Sequence, residues 1–117
     1  MKQPDLAMPH DSEDVAKALA WIQQQAIDSS YRITQHAAVE MDEEDILLED
    51  VLEAIASGQI LENYPAHRRG ACCLLGGTTA GGRPLHVVCT TGGSLLVIIT
   101  VYEPKRPRWT SPTERNR

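Results

Sequence analysis

Five side chains carry the groups that metal-free phosphodiester cleavage requires: His36, Arg83, His86, Thr100 and Tyr102. Such cleavage asks for a base to take the proton of a 2′-hydroxyl. It also needs a cation or donor to stabilise the charged phosphorane, and an acid to protonate the leaving oxygen. Histidine titrates near neutrality and can fill either proton role. Arginine presents a planar fork matched to phosphate oxygens. Tyrosine donates from its hydroxyl. His36, Arg83 and Tyr102 form the first candidate set, with His86 and Thr100 as secondary candidates and Arg68 and Arg69 as RNA-binding loop charge. Each has a plainer reading. A lone histidine on a short helix is more often packed or capping, and a histidine inside an apolar strand is usually a satisfied, half-buried polar group. Arg83 can pair with an acidic helix, and Tyr102 can be amphipathic packing.

The elements that must position these groups are legible in the spacing. Val15, Leu19, Ile22 and Ala26 repeat at helical intervals and predict a first helix over 13–28, capped by Ser12. Residues 31–33 are short and extended. Thr34 is a fair N-cap for a helix over 35–43, which carries His36. A third helix is predicted over 48–57, with Gly58 as its left-handed terminator. The period then changes to that of strands, over about 60–64, 71–78, 83–90 and 94–102, with turns at 80–82 and at Gly92-Gly93. The last strand is apolar on both faces and should be central, or covered on both sides. Helices before strands predict an α+β domain: two to three N-terminal helices packed on a three- to four-stranded antiparallel sheet. The domain spans 13–104. It is flanked by a flexible arm, 1–12, and by a basic tail, 105–117, expected to be disordered.

Which candidates meet depends on one register. A two-residue loop at Gly92-Gly93 puts Arg83 opposite Tyr102 and sends His86 to the other face. A three-residue loop puts His86 opposite Thr100 and Pro84 opposite Tyr102. The two-residue loop is the expectation, with His36 reaching in from its helix.

Charge is divided along the chain. Residues 1–63 hold three basic and fourteen acidic side chains, net −11, while residues 64–117 hold eight basic and two acidic, net +6. The total of −5 argues against a protein that coats DNA through charge alone. Eight carboxylates and no basic residue fall between Glu40 and Glu53. That run reads as a solvated face, and nothing in it demands a metal. Three cysteines, at 72, 73 and 89, show no metal or disulfide spacing and read as buried thiols. No apolar run approaches the ~20 residues of a membrane helix, and no apolar stretch follows the N-terminus. The cytoplasm is therefore the default compartment, and no membrane partner is expected. The glycine pairs lack a following helix, so no phosphate-binding loop and no cofactor is implied.

Several stretches together resemble one family. They are Arg32-Ile33-Thr34-Gln35-His36-Ala37, Asp50-Val51-Leu52-Glu53-Ala54-Ile55 and Gly58-Gln59-Ile60-Leu61-Glu62-Asn63-Tyr64-Pro65. Gly82-Arg83-Pro84-Leu85-His86-Val87-Val88 and Ile98-Ile99-Thr100-Val101-Tyr102-Glu103-Pro104 follow in order. The pattern, over about residues 31–109, is similar to the domain-of-unknown-function family 4258. That resemblance implies the compact α+β fold of the RelE and barnase ribonuclease toxins, often encoded beside a zinc-finger antitoxin. It implies a ribonuclease toxin or a relative of one, acting on RNA without a metal, with an antitoxin protein or a second copy as partner. One stretch departs from the family pattern. Where members carry arginines after the helical histidine, this chain has Glu40 and Glu44. Two anions there predict weak phosphate binding and favour the rival reading, a non-catalytic interaction module on the same fold.

Overall fold

The computed structural model describes residues 12–68, 70–105 and 109–115. Three helices come first: α1 (Ser12–Ile27), α2 (Gln35–Glu43) and α3 (Leu48–Ser57), with strand β1 (Tyr31–Ile33) between the first two. Strands β2 (Gln59–Tyr64), β3 (Cys72–Thr78), β4 (Pro84–Thr90) and β5 (Leu96–Tyr102) follow. A short hairpin, β6 (Trp109–Ser111) and β7 (Glu114–Arg115), comes last. The fold is α+β, as expected.

Thr34 starts α2 as predicted. Its Oγ1 accepts the Ala37 N–H at 3.1 Å and donates to the Ile99 carbonyl at 3.0 Å, so one residue caps the helix and ties it to β5. Both α1 and α2 end in the same hydrogen-bonded pattern. Ser30 N donates to Gln25 O and Ile46 N to Met41 O, with Ser29 (φ 58°) and Asp45 (φ 55°) in the left-handed position that glycine usually takes. Gly58 does not take it. Its φ is −86°, and what requires glycine is space, because a Cβ there would lie 2.6 Å from Leu75 Cδ2 and 2.7 Å from the Ala54 carbonyl.

The main sheet has five strands in the order β1-β5-β4-β3-β2, and β1 runs parallel to β5. This corrects the three to four antiparallel strands expected. Three residues are too few to show a strand period, and their partner lies more than sixty positions away. β5 is an interior strand, between β1 and β4, and β4 takes the centre of the sheet. One sheet face carries Cys73, Leu75, Leu85, Val87, Cys89, Leu96, Ile98 and Val101. These pack against Ile22, Ala37, Met41, Val51, Ala54 and Ile55 of the helices to form the core. All three cysteines are free and buried.

The β4–β5 register matches neither expected loop. His86 stands opposite Tyr102, Val87 opposite Val101 and Val88 opposite Thr100; a bulge then puts Cys89 opposite Ile98. The connection spans residues 91–95. Thr90 Oγ1 accepts the Val97 N–H, and Leu96 N donates to Ser30 O beside β1, so β5 joins the ladder later than the glycine pair suggests.

The segment expected as a disordered tail is in part folded. β6 and β7 pair with each other, and Trp109 is 3% exposed. The N-terminal arm, apart from Ser12, lies outside the described residues.

Candidate active site on the open sheet face

Strand alternation places His86 on the face of β4 away from the helices, together with Tyr102 of β5 and Glu62 and Tyr64 of β2. The last hairpin covers this face. His86 is 1% exposed. Its Nε2 lies 2.6 Å from the Pro112 carbonyl, which can only accept, so Nε2 carries the proton. Nδ1 of the neutral ring is then the acceptor for the Tyr102 hydroxyl at 3.2 Å. Trp109 meets the imidazole edge to face at 4.3 Å between ring centres, and Tyr102 does so at 5.3 Å. Burial holds the His86 pKa below its ordinary value. The Pro112 hydrogen bond opposes that shift, the Arg115 charge adds to it and Glu62 opposes it.

Glu62 anchors the other end of the hairpin. Arg115 grips it with both arms of its fork, Nε to Oε2 at 3.0 Å and Nη2 to Oε1 at 2.9 Å. The same guanidinium lies 4.6 Å from the centre of the Trp109 ring. The Tyr64 hydroxyl donates to Glu62, and burial followed by this carboxylate pushes the Tyr64 pKa up to about 12. Beside His86 opens a cleft of about 600 Å³, lined by Gly58, Gly76, Gly77, Gly82, Pro112 and Thr113 among others. Gly76 lets the strands pack closely beside it: a Cβ there would meet the Leu61 side chain at 2.8 Å and His86 Cδ2 at 3.5 Å.

Of the predicted residues, Tyr102 and His86 are brought together. Thr100 lies one position along the same face, opposite Val88. His36 sits on the first turn of α2, 67% exposed at its side chain, with Nε2 3.4 Å from Glu40 Oε2. Arg83 lies just before β4 and closes the end of α2. It donates to the Glu44 carbonyl at 2.7 Å, the Asp45 carbonyl at 3.0 Å and the Glu103 carboxylate at 2.9 Å. His36 and Arg83 thus have acidic and backbone partners of their own, and the bond from Tyr102 runs to His86. Arg68 is exposed in the β2–β3 connection, and Arg69 lies outside the described residues.

Glu40 and Glu44 serve the backbone. Glu40 Oε1 accepts the Val101 N–H and Glu44 Oε1 the Glu103 N–H, both at 3.0 Å. β1 pairs only with residues 96–98, so the edge of β5 beyond it would otherwise offer bare amides. Two carboxylates one helical turn apart meet two amides two strand residues apart.

Glu62, Trp109, Pro112 and Arg115 were missed as site residues. Glu62 and Tyr64 do alternate onto one face in sequence, which is a signal. Trp109 and Arg115 were hidden in a stretch whose prolines and charge suggest a tail.

These features define an α+β protein with helices on one sheet face and a covered histidine–tyrosine–carboxylate cluster on the other. A family profile matches residues 33–103, more than half of the chain: the protein belongs to the family described as domain of unknown function (DUF4258). No curated protein and no solved structure matches it. No helix among the described residues is long and apolar enough to cross a membrane.

Proposed function

We propose that this chain is a ribonuclease-toxin-like protein. Its metal-independent cleavage of RNA is carried by His86, with Tyr102 positioning the imidazole and Glu62 as the partner carboxylate. The observation behind the reading is the buried cross-strand His86–Tyr102 pair, with a carboxylate on the same sheet face whose charge reaches the imidazole. A perturbed titratable group beside a cleft is a functional-site signal. In the reaction, the Glu62 carboxylate takes the 2′-hydroxyl proton and the resulting oxygen attacks phosphorus. The bond to the 5′-oxygen breaks as His86, uncovered to solvent and protonated on Nδ1 with the Tyr102 hydroxyl now accepting from it, gives that oxygen its Nε2 proton. The products are a 2′,3′-cyclic phosphate and a 5′-hydroxyl end. The imidazolium charge offsets the negative charge of the phosphorane. The partner that accompanies this reading is an antitoxin-like protein.

A second reading, a non-catalytic interaction module, draws on the near-complete cover over His86. One experiment separates the two. Wild-type protein and a variant with Trp109→Ala and Arg115→Ala together, which exposes His86, are each incubated with single-stranded RNA. The ribonuclease reading expects cyclic-phosphate products from at least the exposed variant and their loss in His86→Ala and Glu62→Gln. Intact RNA in every case overturns it and leaves the module.

A further inference from the structure

We propose that the hairpin of β6 and β7 is a removable strap that shuts the His86 site by putting its own groups where the RNA would lie. The proposal concerns regulation of the site and rests on the ribonuclease reading for the identity of the displaced ligand.

The contacts on each side of the hairpin are of the kind a nucleotide would make. The Pro112 carbonyl accepts from His86 Nε2 at 2.6 Å, as a phosphodiester oxygen would. Trp109 sets a flat ring against the imidazole, as a base would. Arg115 occupies both oxygens of Glu62, which keeps that carboxylate from acting as a base.

The attachment is also weak in kind. The hairpin forms its own two-stranded sheet, and among the described residues no ladder joins it to the five-stranded one. Among the described residues, its ties to the main sheet include the His86–Pro112 hydrogen bond, the Glu62–Arg115 fork and the ring contact of Trp109, all made by side chains on the sheet. Strands of three and two residues have no independent stability, so release amounts to local unfolding. The docked state also carries a defect: the Trp109 indole Nε1 is buried with no hydrogen-bond partner among the described residues. A permanent part of the core would be expected to satisfy that donor. Opening exposes it to water and returns His86, Tyr102 and Glu62 to solvent together.

The test is chemical modification of the full chain by diethyl pyrocarbonate, mapped by peptide mass, with exposed His36 as the internal standard. In wild type, His86 should react at least about tenfold more slowly than His36. In Arg115→Ala, and further in Trp109→Ala with Arg115→Ala, His86 should approach the His36 rate while the far-ultraviolet circular dichroism stays unchanged. Arg115→Lys, which keeps the charge and loses the fork, should fall between. A 2′-O-methylated tetranucleotide, which cannot be cleaved, should protect His86 in the released variant and bind it at least about tenfold more tightly than wild type. Two results overturn the strap: His86 as reactive as His36 in wild type, or His86 protected in every folded variant. Release without any RNA cleavage overturns the ribonuclease reading and leaves the strap in place. Release without protection by the tetranucleotide overturns RNA as the displaced ligand.

Discussion

Glu40 and Val101 are joined across 61 positions by one hydrogen bond, carboxylate to backbone amide, at 3.0 Å. Glu44 and Glu103 repeat the contact one turn further along α2. Glu40→Ala should therefore cost about 1–2 kcal/mol in a urea denaturation, because a part-buried N–H loses a charged acceptor. Amide exchange at Val101 should quicken in the same variant. Replacing both glutamates by arginine should lower stability by more than either single change. If it instead leaves stability intact and tightens RNA binding, these residues act on phosphate and not on the strand edge.

Arg83 should behave as a structural cation. It holds two carbonyls at the end of α2 and the Glu103 carboxylate together. Arg83→Ala should destabilise the fold by about 1–3 kcal/mol. Arg83→Lys should recover less than half of the loss, since one ammonium cannot span three acceptors. RNA cleavage per folded molecule should survive. A cleavage loss of more than about tenfold at unchanged stability would return Arg83 to the chemistry.

Two glycines should differ sharply. A Cβ on Gly77 would stand 1.8 Å from the Ala54 carbonyl, whereas one on Gly92 meets nothing within 4 Å. Gly77→Ala should cost about 3 kcal/mol or more by pushing α3 off the sheet, and Gly92→Ala under about 0.5 kcal/mol. Thermal melts of the pair check this, and equal losses would mean that α3 yields freely.

Acid should weaken the fold through His86. Burial lowers its pKa in the folded chain, so the unfolded chain binds the proton more readily. The stability is fully present above the unfolded value, about 6.5, and is lost as pH falls below it. The urea midpoint should drop between pH 7 and pH 5, and His86→Leu should flatten that drop relative to wild type. Parallel pH curves for the two proteins would contradict the buried, neutral imidazole.

Local chemistry was legible in the sequence and distant pairing was not. Thr34, the helix over 35–43 and the third helix follow from capping and apolar spacing, which act within one or two turns. The β4–β5 register failed because Gly92-Gly93 mimics a two-residue turn, while the real stop is set by Thr90 and by β1, both outside the loop. That slip moved Tyr102 from Arg83 to His86. The hairpin at 109–115 failed for a related reason: its stability comes from Glu62 and His86, and nothing within the segment announces them.

The most direct measurement follows the His86 imidazole by nuclear magnetic resonance while the uncleavable 2′-O-methylated tetranucleotide is titrated into the Trp109→Ala, Arg115→Ala chain. The His86 ring signals should shift in a saturable manner, their pKa should rise as phosphate charge arrives, and Tyr102→Phe should alter the response. His86 signals that stay fixed at every RNA concentration, in a chain shown to be open by its modification rate, would contradict it.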